Sequence, residues 1–214
     1  MSPPNSMPSA RSRKARGWAR SSEGTVTMDA FSYLSVLLSI IIGLAITQIL
    51  TGFRGIVLWR SRVRVYWPVP LWAGTLLLIN VQSWWAMFEL REVTGWTFAA
   101  FTVVLAQSIA QYLLAGIVFP DFSRDADIDL REHYWTHVHW FFGLFVAVLL
   151  ISLAKSEVVY GKLPDREDLF FHGVFIALSA TALLTRRARY HEFLALFGAC
   201  VFCAYVITLF TRLH

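Results

Sequence analysis

Apolar residues gather into six long stretches free of Asp, Glu, Lys and Arg: Phe31–Gly52, Trp67–Met87, Thr97–Phe119, Tyr134–Ala154, Leu169–Thr185 and Phe193–Thr211. A bilayer core takes about 20 helical residues to cross. Most of the stretches meet that length; the fifth is short and borrows flanking residues. None alternates apolar and polar positions with period 2, which argues against a β-barrel. The connections are brief, the longest being Pro120–His133 and Lys155–Asp168. No soluble catalytic domain fits between the spans. The pattern predicts an all-α fold, a polytopic transmembrane helix bundle of about six spans, with residues 28–214 as a single domain.

Composition agrees. The chain is 57% hydrophobic and only 15% charged, where soluble domains run near a quarter charged. A chain of this size has no interior large enough to hide that apolar surplus. The net charge of +5 concentrates in the tail before Met28, where Arg11, Arg13, Lys14, Arg16 and Arg20 are offset only by Glu23. No basic patch remains in the body, so nucleic acid is not an expected partner.

Residues 1–27 lack the apolar run of a signal peptide. One reading makes them a basic disordered tail that touches anionic headgroups. The other makes them a misassigned extension, with translation starting at Met28. Glu23-Gly24 can be encoded as a purine run resembling a bacterial ribosome-binding site, placed just upstream of Met28.

Orientation rests on Lys and Arg in short loops. Arg54, Arg60, Arg62, Arg64, Arg124, Arg131, Arg186, Arg187 and Arg189 lie in the first, third and fifth loops. With a start at Met28 only Arg91, Lys155, Lys162, Arg166 and Arg212 lie on the opposite side, so both termini are predicted outside a bacterial plasma (inner) membrane. With the basic tail counted the bias disappears, and the orientation depends on the start codon. Trp59, Trp67 and Trp135 fall near one predicted interface and Trp85 and Trp96 near the other, as aromatic belts do.

Candidate chemistry is sparse. Ser35, Ser39, Gly43 and Thr47 recur every fourth residue in the first span, and small residues at that spacing let helices approach closely. Packing within the chain is the plain expectation; a homo-oligomer through Ser35, Ser39 and Gly43 is the alternative. Cys200 and Cys203 form C-x-x-C inside an apolar helix, where cysteine packs as a small hydrophobe. The amides Gln48, Asn80, Gln82, Gln107 and Gln111 are the main polar groups within spans, suited to interhelical hydrogen bonds or to a polar path. The middle of each span is free of ionisable charge and of proline, which weighs against proton relays and ion-coupled carriers.

The richest segment runs from Pro120 to His139. If Pro120 opens a helix, Asp121, Asp125, Asp129, His133 and His137 recur every fourth residue. Asp129, His133 and His137 would then converge with His191 from the fifth loop as a divalent metal site, since carboxylate and imidazole suit zinc, iron or manganese. The competing expectation is an acidic loop followed by interfacial histidines. No catalytic or organic-cofactor residue is identifiable. The sequence therefore reads as a multi-pass membrane protein, bound to lipid, that serves as a scaffold, sensor or passive transport component. The alternative is a metal-dependent membrane enzyme or redox protein built on the Asp/His cluster.

Overall fold

The computed structural model describes residues 30–93, 95–122 and 127–212. The two readings of residues 1–27 lie outside the described residues, as do Arg124 and Asp125. Six α-helices are present among the described residues: α1 (Ala30–Leu58), α2 (Pro68–Ala86), α3 (Phe98–Ile117), α4 (Leu130–Tyr160), α5 (Arg166–Leu184) and α6 (Ala188–Arg212). Five are long and apolar enough to cross a membrane; α2 is the one that is not. Pro68, Pro70, Asn80 and Gln82 dilute its apolar character, and it is held between other helices instead. The all-α membrane-type fold stands, with five such helices in place of about six.

Local chemistry sets the helix ends. Pro68 occupies the first turn of α2, where its missing N–H costs nothing. The Thr97 hydroxyl accepts from the Ala100 N–H at 3.1 Å and starts α3. Asp129 caps α4 by accepting from Arg131 N at 2.8 Å and Glu132 N at 3.3 Å. Gly161 ends α4 at φ 65°, a left-handed turn that glycine adopts freely.

Two expectations are corrected here. Pro120 opens no helix; α4 begins at Leu130, so Asp121 is off the helix and Asp129 is its cap. The fourth connection is also far shorter than expected. α4 runs on to Tyr160 and α5 starts at Arg166, which places Lys155 and Asp168 on helices. At 1.5 Å per residue, α4 is about 46 Å long and overruns the bilayer core of about 30 Å.

The helices close a ring. α3 packs against α1 and α4, α5 lies on α4, α2 joins α1 to α6, and α5 meets α6 only sparsely. At one end the ring is solid. Val63–Arg64 (β1) pairs in parallel with Ile128–Asp129 (β2), tying the first connection to the third. The Tyr66 hydroxyl donates to Glu192 Oε1 at 3.4 Å, and Arg131 lies 5.5 Å from the Tyr66 ring centroid, bringing in the start of α6. Behind them Trp72 meets Phe141, Phe142 and Phe145 edge-on, with centroids 5.4, 5.8 and 5.6 Å away.

The small-residue stripe of α1 is divided, with Ser35 and Ser39 half-buried and Gly43 and Thr47 exposed. The buried face of α1 is Leu34, Leu38, Ile42, Ala45 and Ile49. Gly43 faces outward, and a Cβ added there would meet nothing within 4 Å. Close approach occurs further along, where a Cβ on Gly52 would collide with the Phe119 ring and one on Gly55 with Phe122. Cys200 and Cys203 are free and exposed on α6, not packed inside the bundle.

Candidate functional site: a central cavity open at one end

The opposite half of the ring is hollow. A cavity of about 370 Å³ lies between the helices, with wall residues contributed by all six. Pockets of roughly 300–1,000 Å³ suit small-molecule ligands. The floor is apolar, made by Trp72, Phe145, Phe175 and Gly198. Gly198 matters for shape, since a Cβ there would stand 3.2 Å from the Trp72 ring. Above the floor comes a neutral polar band of Gln82, Ser83, Gln107, Ser108 and Gln111. The rim carries Glu89, Tyr160, Pro164 and Asp168, beside the connections that follow α2 and α4.

The band has unspent hydrogen-bonding capacity. Gln111 is 4% exposed; its Nε2 donates to Ser83 Oγ at 2.8 Å while its Oε1 has no partner. The buried Oε1 of Gln107, one helical turn away, has none either. A buried polar atom left unpaired costs about 1–3 kcal/mol. Both oxygens are enclosed by protein, and Gln107 and Gln111 line the cavity with other parts of their side chains. The Ser108 hydroxyl is satisfied by its own helix, donating to Val104 O at 3.3 Å.

Among the described residues Lys155 is the one Lys or Arg on the cavity wall. It is half-buried, two helical turns beyond Val148, and flanked by Ser152 and Ser156. Glu89 is the carboxylate whose field reaches it. Among the described residues the single ion pair within 4.0 Å is Arg64–Asp129, at the other end of the bundle.

The five amides of the spans thus divide. Gln82, Gln107 and Gln111 converge on the cavity. Asn80 turns back to Leu76 O at 2.8 Å, and Gln48 meets the Tyr112 hydroxyl at 3.4 Å outside it. Lys155, Asp168 and Glu89 fall in connections on the sequence reading, and His172 stands at the start of the fifth span without a role there. A signal for them exists in Ser152, Lys155 and Ser156, which fall at helical i, i+3, i+4 spacing, and in Asp168 and His172 one turn apart.

The Asp/His residues lie at the solid end, in separate roles. Asp129 caps α4 with Oδ1 and faces Arg64 with Oδ2 at 3.9 Å. His133 Nε2 donates to Ile117 O at 2.9 Å, and His137 Nδ1 to His133 O at 2.9 Å. Their ring centroids lie 4.4 Å apart with the planes tilted by 34°. His191 is 0% exposed, boxed by Tyr134, Trp135, Phe142 and Tyr190. Its Nε2 donates to Thr185 O at 2.9 Å, so Nδ1 accepts from the Tyr134 hydroxyl at 2.8 Å. Among the described residues no three His, Cys, Asp or Glu side chains converge for a metal. Burial, and secondarily Glu192, push the nearby Tyr66 hydroxyl up to about 12 against a smaller opposing pull from Arg131.

No protein-family model, curated protein or solved structure matches this chain.

Proposed function

We propose that this chain is a multi-pass membrane protein that receives one small amphipathic molecule in its central cavity from one face, as a sensor or carrier component. The observation that carries the reading is a cavity of about 370 Å³ whose wall passes from apolar residues through the neutral polar band of Gln82, Ser83, Gln107, Ser108 and Gln111 to charge at the rim. The solid aromatic end favours a one-sided pocket over a through-pore. A scaffold would have no use for the hollow. The arginines of the first, third and fifth connections support a cytoplasmic location for the solid end. The cavity then opens outward, with both termini on that outer side of a bacterial plasma membrane.

Thiol accessibility tests this. With Cys200 and Cys203 replaced by Ala, Ser152→Cys in the wall and Glu89→Cys on the rim should react with an impermeant thiol reagent added outside intact cells. Val138→Cys, buried in the solid end, should stay unreactive. Reaction of Ser152→Cys from both sides would make the protein a pore, and reaction from neither would close the cavity.

A second reading keeps one observation. The His133–His137 pair leaves His133 Nδ1 and His137 Nε2 without a hydrogen bond among the described residues. A divalent metal held there, with Asp129 at the same helix start, would require those nitrogens. Stoichiometric metal in the purified protein, lost in His137→Ala and retained in His172→Ala, would establish it. Metal-free wild type whose melting point ignores added zinc would end it.

A further inference from the structure

Resting on the cavity reading, we propose that the ligand is a small amphipathic monocarboxylate, inserted apolar end first, whose carboxylate is held by Lys155. The cavity is graded in depth. The aromatic rings of Trp72, Phe145 and Phe175 make the floor, and the neutral polar residues Gln82, Ser83, Gln107 and Gln111 line the wall above them. Charge appears only towards the opening.

The sign of the ligand follows from where each charge sits. Glu89 and Asp168 are exposed at the rim, where water and salt screen them. Lys155 is half-buried in the wall and has no carboxylate within 4.0 Å among the described residues. A partly desolvated ammonium gains most from an anion brought to it, because charge-assisted hydrogen bonds are the strong ones. The remaining titratable wall groups, Tyr160, His172 and Tyr205, add no second fixed cation. A phosphate group, which recruits several donors or a bidentate arginine, is therefore a poor match. One cation beside Ser152 and Ser156 matches one carboxylate. The volume suits a single small molecule and not a two-chain lipid.

The test uses the full chain in lipid nanodiscs, Cys200 and Cys203 replaced by Ala, with Ser152→Cys as reporter. Octanoate, 1-octanol and octylammonium share one tail and differ in head charge. Octanoate should protect the cysteine from a neutral thiol reagent at about tenfold lower concentration than octanol, the factor expected of one charge-assisted hydrogen bond. Lys155→Met should erase that advantage, and Lys155→Arg should keep it. Best protection by octylammonium would assign the site to cations held by the rim acids and overturn the proposal. Equal protection by all three, or by none while the cysteine still labels from one face, would also overturn it and leave the cavity standing. A cysteine that labels from neither face would remove both.

Discussion

Gln111 is a buried amide with one satisfied end, and its energetics separate stability from function. Replacing Gln111 by Leu together with Ser83 by Ala removes the unpaired oxygen and both partners of the bond between them. Exchange of both partners for apolar groups is near neutral or stabilising, within about 1 kcal/mol. The double variant should therefore melt at or above the wild-type temperature while protection by octanoate weakens. A large fall in melting temperature would show that the bond from Gln111 to Ser83 dominates instead. Tyr66 gives a second prediction, with a definite sign. Its hydroxyl is raised from about 10 to about 12, so the folded state favours the neutral form. Stability from that group is complete below pH 10 and is lost as pH rises through 12. Wild type should lose stability over that window, and Tyr66→Phe should lose less. Parallel curves would mean that Tyr66 does not respond to Glu192 and burial as described.

At the scale of elements, glycines show where two helices need each other. Gly52 and Gly55 of α1 admit Phe119 and Phe122, whose rings occupy the space a Cβ would take. Gly52→Leu should cost about 1–3 kcal/mol or more by overpacking, measured as a drop in detergent melting. Gly43→Leu should leave the single chain unaffected, because nothing lies near it. Loss of a dimer band in Gly43→Leu, with melting of the single chain unchanged, is the result expected if a second copy docks on Ser35, Ser39 and Gly43. Spacing alone marked the wrong stretch of α1 for internal packing. A repeat of small residues shows that a helix can be approached, but not from which side. The overrun of α4 has a similar origin. Hydropathy stops at Ala154, where charge begins, yet helical hydrogen bonding continues until Gly161 turns left-handed.

For the whole molecule, the defining feature is asymmetry between a solid end and a hollow end. The β1–β2 pair predicts that Val63→Cys and Ile128→Cys, in a background free of other cysteines, cross-link under mild oxidant. Failure of the pair to cross-link, with each single variant folded, would overturn the pairing. The helical class, most span positions and the shared side of the first, third and fifth connections were legible in the chain, because lipid imposes length and apolarity on each helix locally. The candidate site was legible only in part. Gln107 and Gln111 announced a shared polar face, yet the same pattern serves an ordinary helix contact. Whether Gln111 meets a neighbour or a hollow, whether Asp129 binds metal or caps a helix, and whether Lys155 faces solvent or a cavity all depend on residues distant in sequence. From its sequence alone the chain is legible as a set of long apolar helices joined by short connections. Tertiary packing alone decided that the helices leave a cavity between them and that a half-buried lysine lines it, because a cavity is defined by surfaces that fail to meet and no single helix encodes that.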